Sequence, residues 1–434
     1  MLNEADAPGS PAPAGIPIVV RRHAEEVATR WWRRDSAYVD HPRTGFSTLA
    51  QYDETIDAHL DGLQLAGSLG LDMLEQALAV NAPDISADIF AALALAYLSE
   101  DEAVIADMLA RTDALPGKAW ALQGVFAWHD TARVKAALEA HLGDANPRYR
   151  DAALAQCHTH RLSGGDCLPA ILNGSEPELL ARALRTAGEC GRVDLLPAVL
   201  GWLAKARQAD PAIAYWAAWS ATLLGGFNED AFNALDWVVR QGNGNQRGAL
   251  KLICLSLPPP RLPSYLETLS PLPGAPALAI QAMGWSGQAT HAGWLIEQMR
   301  VPSLAVVAGE AFRLISGFDC EQNDAAQDPP PSGESIDAAA EAGYPYPDAD
   351  RVAAWWRANQ AHYRGDSRLD SRLLMGRPVA SDWLAEILDQ GEQEYRELAA
   401  LHWALMRPGS ILLPTRAHSA IQWLRLWQLK EGTS

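Results

Sequence analysis

Apolar and polar residues follow one another along this chain with the period of amphipathic helices, and Gly and Pro interrupt them at intervals suited to single helices. Runs of β-branched residues with alternating polarity are almost absent, so the pattern predicts little or no sheet. Toward the two ends, helices are predicted at about 19–35, 49–67, 350–363 and 381–405. The fold class expected from this pattern is all-α.

The middle of the chain repeats itself. Helices rich in small residues recur with spacings of 30, 34, 32, 30 and 32 residues, beginning at Ala153, Ala183, Ala217, Ala249, Ala279 and Ala311. Each follows a Leu-rich helix, such as LeuProAlaIleLeu from Leu168. A period near 30 with two helices per unit predicts a HEAT-like α-solenoid, because one hairpin cannot bury its apolar face alone. Alanines on the second helix let neighbouring hairpins approach closely. An irregular bundle is the alternative.

The composition and the turn residues divide the chain into five segments. These are a disordered leader at 1–17, an N-terminal helical cap region at 18–118, a HEAT-like repeat array at 119–318, an acidic Pro-rich loop at 319–350 and a C-terminal helical region at 351–434. The two end regions are expected to cap the stack, because terminal repeats must cover an exposed apolar face.

The bulk composition points to a folded cytoplasmic protein. Of the 434 residues, 48% are apolar and 20% are charged, which supplies a large core. No apolar run reaches the roughly 18 residues that span a bilayer, so no membrane is expected. The start of the chain has neither a basic segment nor an apolar one, so no secretory signal is expected. The five Cys are odd in number and form no CxxC, which fits a reducing compartment.

The formal net charge of −18 is unevenly spread. Residues 319–350 carry nine acidic groups and no basic one. An acidic surface repels phosphate backbones, so nucleic acid is not an expected partner. A basic partner protein would be attracted to it.

His59 and Asp61, with Asp53 and Glu54 one to two turns earlier, are the first candidates for acid–base chemistry. Such groups would have to converge on one pocket. The alternative is that His59 and Asp61 bond to helix ends at the first hairpin turn. No catalytic residue is therefore predicted.

Two other groups of residues resemble parts of metal and nucleotide sites. Five residues raise the question of zinc, namely Cys157, His158, His160, Cys167 and Cys190. They lack the tight spacing of structural zinc sites, and small Cys side chains suit helix interfaces. The stretch GlyAsnGlyAsnGlnArgGly from Gly242 has no preceding strand, so a turn between helices is expected instead of a phosphate loop. No metal and no cofactor is predicted.

The sixteen tryptophans are many for this length, and Trp is enriched at binding hot spots. Trp is also a core residue, but neighbours on a helix point about 100° apart, so one member of an adjacent pair can be exposed. The acidic loop, with its tyrosines, is the other candidate contact region. The predicted protein-binding residues are Trp31, Trp32, Asp324, Asp328, Tyr344, Tyr346, Trp355 and Trp356.

Motifs near both ends carry a family resemblance. The first are ArgArgAspSerAlaTyr from Arg33, LeuAlaGlnTyrAspGlu from Leu49 and AlaHisLeuAspGlyLeu from Ala58. The last are TyrProTyrProAspAlaAspArgValAlaAlaTrpTrp from Tyr344 and LeuMetGlyArgPro from Leu374. With them, the chain from about 20 to 420 resembles a family of bacterial HEAT-like repeat proteins that tend to occur in type VI secretion gene clusters.

The resemblance implies a non-enzymatic scaffold whose partner is a secreted effector or toxin. The chain would then be a cognate immunity protein or an adaptor, with the second helices of successive hairpins forming a concave interface. Two alternatives stay open. One is a HEAT-like repeat enzyme, of the chromophore-lyase or base-acting kind, and the other is a structural subunit of a larger assembly.

Overall fold

The structure is a computed structural model that describes residues 15–37, 43–79, 85–129, 131–144, 147–162, 164–165, 167–174, 176–205, 210–269, 275–328, 343–363 and 372–431. Of these described residues, 75% are helical and almost none lie in strands. The prediction of an all-α fold is therefore confirmed. The described residues contain one short antiparallel hairpin, in which β1 (Leu373–Leu374) pairs with β2 (Arg377–Pro378).

The chain divides into two compact units. Unit 1 comprises Met1–Ser36 and Ser47–Lys135, and unit 2 comprises Ala37–Phe46 and Ala136–Ser434. The division falls after residue 135, whereas the sequence pattern placed the end of the cap region at 118. The reason is that the helix from Lys118 packs against the core helix of unit 1.

The described part of unit 1 consists of helices, four of which pack against a central one. They are α1 (Pro17–Ser36), α2 (Phe46–Leu65, of which Phe46 belongs to unit 2), α3 (Ser68–Ala79), α4 (Ser86–Leu98), α5 (Glu102–Thr112) and α6 (Lys118–Trp128); α7 (Thr131–Leu142) crosses into unit 2. Helix α4 packs against α1, α3, α5 and α6. Its residues from Ile89 to Tyr97 are all buried, as expected of a helix that is apolar on every side.

Unit 2 is built from two sets of alternating helices. The even row consists of α8 (Pro147–His160), α10 (Pro177–Glu189), α12 (Pro211–Gly225), α14 (Gln246–Ser256), α16 (Ala275–Ser286) and α18 (Ala305–Ser316). Between them come α9 (Cys167–Leu172), α11 (Leu196–Leu203), α13 (Glu229–Gln241), α15 (Leu262–Glu267) and α17 (Ala292–Gln298). Each even helix packs against the next even one. The even row contains all six of the small-residue helices that define the repeat.

Small residues set the distance between even helices, as the alanine pattern predicted. At Gly188 of α10, an added Cβ would lie 2.7 Å from the Cα of Ser220 on α12. At Gly284 of α16, it would lie 2.9 Å from the Cα of Ala311 on α18. Side chains at these points would force the helices apart, so the close packing depends on their absence.

Turn residues begin and end the helices at the positions that the sequence predicts. Asp210 caps α12 by accepting from the N–H of Ala212 at 2.7 Å, and Pro211 takes the first helical position. Gly242 ends α13 in the left-handed region, at φ 67°. The Gly-rich stretch that follows is thus the turn between α13 and α14, as expected.

The C-terminal region lies against the even row. It contains α19 (Ala349–Asn359), α20 (Ser381–Gln390), α21 (Gln393–Met406) and α22 (Ser419–Lys430). The single helix predicted at 381–405 is two helices, because Gly391 is extended and its carbonyl accepts from the N–H of Phe46. Helix α21 packs against α12 and α14, so part of the even row is covered by the same chain.

Candidate protein-binding surface

The first predicted Trp pair divides between the core and the surface of unit 1. Trp31 is buried, and its ring stacks on Phe90 with the centroids 4.3 Å apart. Trp32 is 48% exposed. The prediction of Trp31 as a contact residue is therefore corrected, because a ring buried in the core cannot touch a partner. Trp32 is exposed and can do so.

The second pair, on α19, packs into the core of unit 2. Trp356 is 9% exposed and meets Phe312 edge-on at 5.6 Å. Trp355 is half-buried and lies 4.5 Å from the ring of Phe318. Both rings cover α18, where the repeat array ends. Their role is to cap an apolar face, so Trp356 is also withdrawn as a contact residue.

The acidic loop is held to unit 2 at both of its ends. Asp324 and Asp328 are exposed, as a contact role requires. The carbonyl of Asp324 accepts a hydrogen bond from Arg351, while Tyr344 is half-buried and donates to Glu394 on α21. Tyr346 is half-buried, and its carbonyl accepts from the N–H of Gln327 at 2.9 Å. The central part of the loop, 329–342, lies outside the described residues.

An ion-pair cluster fixes the start of this loop. Asp319 is buried, and its carboxylate lies 2.8 Å from Arg313 and 3.1 Å from Arg43. Arg313 also donates to both oxygens of Glu392, at 2.8 and 3.1 Å. The predicted linker therefore begins with a carboxylate that belongs to the core, which sequence composition could not distinguish from its exposed neighbours.

A protonatable carboxyl lies beside that cluster. The hydroxyl of Tyr395 donates to Oε2 of Glu310 at 3.0 Å. Although part of the Glu310 side chain reaches the surface, burial raises the pKa of its carboxyl to about 8, and the nearby Arg313 only partly offsets this. The raised pKa favours the protonated form of the Glu310 carboxyl at neutral pH.

The acid–base candidates of unit 1 do not converge. Asp53 is buried and forms an ion pair with Arg34, whereas Glu54 and Asp61 are exposed. Nδ1 of His59 lies 2.8 Å from Nδ1 of His23. Burial and the neighbouring His23 lower the pKa of His59. Instead of bonding a helix end, as the alternative interpretation expected, His59 bonds another histidine.

Cys157 and Cys190, two of the three cysteines considered as zinc ligands, are buried core side chains. Cys190 donates its thiol proton to the carbonyl of Cys157, one repeat earlier, with 3.4 Å between sulfur and oxygen. Burial raises the pKa of both thiols to about 12, so they remain protonated at neutral pH. Among the described residues, no group of three or more His, Cys, Asp or Glu side chains is placed to hold a metal ion.

Helix α22 carries the most concentrated exposed apolar surface of unit 2's C-terminal region. Trp423 is 47% exposed, Leu424 is 54% exposed and Trp427 is 58% exposed. These positions are one, three and four residues apart, so they share one side of the helix. The opposite side is buried through Gln422 and Leu426. We call the three exposed residues the α22 face.

Trp423 and Trp427 are one helical turn apart in the sequence, but neither is among the predicted contact residues. The available signal was that seven of the twelve residues of α22 are apolar and lie on more than one side of the helix. A helix buried on one side leaves such a second apolar side in water. Which side is buried depends on the position of α22, and that information is not local.

None of the described helices is both long and apolar enough to cross a bilayer. Comparisons of the chain with protein-family models, with curated proteins and with solved structures found no match. The resemblance carried by the end motifs therefore remains a hypothesis.

Proposed function

We propose that this protein is a cytoplasmic, HEAT-like α-solenoid scaffold that binds a secreted effector of a type VI secretion system, as cognate immunity protein or as adaptor. The observation that carries the proposal is the α22 face. Two half-exposed tryptophans and a leucine on one side of a helix have the composition of a binding hot spot. Exposed apolar patches of this kind are typical of interaction sites.

The position of α21 changes where the interface is placed. The second helices of the hairpins were expected to form it, but α21 lies on α12 and α14. A partner would therefore have to displace a helix that is buried along most of its length. The α22 face needs no such displacement, so we place the main contact there.

The charge of the chain favours a basic effector. The net charge is −18, and the exposed Asp324 and Asp328 belong to its most acidic segment. Opposite charges accelerate association and disfavour wrong partners, while the apolar face supplies most of the affinity. This combination suits a partner with a basic surface around an apolar centre.

The test is an affinity pull-down of the tagged protein from its native host, read by mass spectrometry. One dominant partner with a toxin domain is expected. The double variant Leu424→Gln with Trp427→Gln should lose it, whereas Trp294→Gln, which changes a 40% exposed tryptophan on α17, should retain it. Equal recovery by both variants would move the interface elsewhere, and recovery of no protein partner would reject the binding function.

Co-expression then separates the two roles. An immunity protein should restore growth to cells that make the toxin, whereas an adaptor should leave toxicity unchanged and be required for secretion. The alternatives have their own signatures. A structural subunit would co-purify constantly with one large assembly, and a HEAT-like enzyme of the chromophore-lyase or base-acting kind would turn over a small or nucleic-acid substrate without a protein partner.

A further inference from the structure

A cavity of about 370 Å³ lies in unit 2 between the even row and α21. Its walls come from the ends of α8 and α10, from Trp219 on α12, from α21 and from the loop 412–417. This volume is at the lower end of the range of about 300–1,000 Å³ that is usual for small-molecule sites. The cavity is independent of the α22 face.

The side chains that line the cavity carry more positive than negative charges. The cavity is lined by three arginines, Arg161, Arg185 and Arg416, and by two glutamates, Glu189 and Glu397. Arg416 lies 3.3 Å from Glu397. Glu189 is shared, because it accepts from Arg161 at 2.6 Å and from Arg185 at 2.8 Å. One positive charge is therefore left over, in a chain whose net charge is −18.

Arg185 is the residue that carries this surplus. Its Nε is bound by Glu189, and its guanidinium lies 4.7 Å from the centroid of the Trp216 ring. In the described part of the chain, its two terminal nitrogens bond to no protein group. The side chain is 34% exposed. A guanidinium anchored through Nε in this way still offers its terminal nitrogens to a carboxylate.

The rest of the wall is mostly apolar. It includes Ala400 and Leu401 on α21 and Leu412, Leu413 and Pro414 from the loop. Arg161 holds that loop in place by donating to the carbonyls of Leu412 and Leu413. Trp219 completes the lining, and its buried Nε1–H bonds to no protein group. An acceptor that reached this donor would recover the free energy of the missing hydrogen bond.

We propose that this cavity binds a small organic monocarboxylate with an apolar body, and that Arg185 receives the carboxylate. A single negative charge matches the single surplus positive one, whereas a phosphate dianion would leave a charge uncompensated. The apolar wall takes the body of the ligand. Glu189 acts as the anchor that orients Arg161 and Arg185, because both of its oxygens already accept from arginines.

The test is isothermal titration calorimetry of the full chain with phenylacetate and octanoate, with benzyl alcohol as a neutral probe and phenyl phosphate as a dianion. Both carboxylates should bind at least about tenfold more tightly than the alcohol or the phosphate. Arg185→Gln should reduce carboxylate binding to the level of the alcohol. Arg182→Gln changes an arginine of the same helix that pairs with Asp151 outside the cavity, and it should bind as the wild type does.

Trp219→Phe gives a second, independent readout. It removes an unpartnered donor but keeps an aromatic ring, so the melting temperature of the free protein should stay the same or rise. Carboxylate binding should nevertheless weaken. Four results would overturn the proposal: no carboxylate binding at millimolar concentration, binding equal to that of the alcohol, tighter binding of phenyl phosphate, or equal losses in Arg185→Gln and Arg182→Gln.

Discussion

The guanidinium of Arg396 lies over the ring of Phe46, 3.8 Å from the ring centroid, and both side chains are fully buried. Its three nitrogens donate to the carbonyl of Leu388 at 2.8 Å, to Oε1 of Gln393 at 3.0 Å and to Oε1 of Gln422 at 2.8 Å. One side chain thereby joins α20, α21 and α22 to Phe46.

Replacing this arginine should destabilise the C-terminal region severely. Arg396→Met removes the cation from the Phe46 ring and leaves three buried acceptors without these donors, at a cost of roughly 3 kcal/mol or more in the free energy of unfolding. Arg407→Met is the control, because Arg407 lies 4.4 Å from the Trp403 ring but is exposed. It should cost less than about 1 kcal/mol. Equal losses in urea unfolding would contradict the importance of burial.

Two glycine substitutions should have opposite signs. Gly188→Ala places a methyl group against the backbone of Ser220 and should destabilise by about 1–3 kcal/mol through overpacking. Gly201→Ala, on α11, meets nothing within 4 Å and should stabilise by roughly 0.5–1 kcal/mol through helix propensity. Thermal unfolding of both variants checks the pair. A stable Gly188→Ala protein would mean that α10 and α12 are not in close contact.

Ionisation of Glu310 should lower the free energy of unfolding as the pH rises toward 8. The carboxyl ionises near pH 4.5 when the chain is unfolded, but in the folded protein its pKa is about 8. The folded state therefore binds the extra proton between these values, and stability falls as the pH rises from 4.5 to 8. Glu310→Gln should reduce this loss of stability with rising pH, and the variant should be more stable than the wild type above pH 8. Glu267→Gln, at an exposed position, should leave the dependence of stability on pH unchanged.

His402 should lower the stability of the folded protein in acid. Burial lowers its pKa to about 3, and the charge of Arg372 adds to the effect. The unfolded chain takes up this proton near pH 6.5, so stability is retained above that pH and falls as the pH drops toward 3. His402→Gln should make this decline shallower, measured by unfolding at several pH values. The exposed His362→Gln serves as the reference, and an identical slope in all three proteins would exclude His402 as the cause.

The acidic loop can be tested without changing its length. Glu334→Gln, Asp337→Asn and Glu341→Gln together remove three of the nine negative charges of 319–350. If the partner is basic, association should slow and its dependence on salt should weaken, with a smaller effect on dissociation. Surface plasmon resonance at two ionic strengths measures both rates. An unchanged association rate would show that these three charges do not contribute to the interface.

The sequence was sufficient for the local features of this fold. The helices of the repeat follow from hydrophobic periodicity, and their ends follow from residues such as Asp210, Pro211 and Gly242, whose effects act within one turn. The close helix pairs follow from small residues, as at Gly188. Each of these properties depends on neighbours a few residues away.

The candidate surface was harder to predict because exposure depends on distant segments. Trp31 and Trp356 are buried by Phe90 and Phe312, which lie in other helices, whereas Trp427 is left exposed. All three residues are tryptophans, and the composition of the sequence does not distinguish the buried ones from the exposed one. Gly391 likewise lies between two helices, where its carbonyl bonds to the N–H of the distant Phe46.

The hydrogen bonds that hold the C-terminal region to the even row also constrain how the chain can fold during synthesis. The carbonyl of Leu413 accepts from Arg161 across 252 residues, and the carbonyl of His160 accepts from Arg425 across 265. Contacts of such long sequence separation close late, because residues 413 and 425 must first emerge from the ribosome. We therefore expect that, during synthesis, the surface later covered by α21 stays open to chaperones until α21 and α22 have been made.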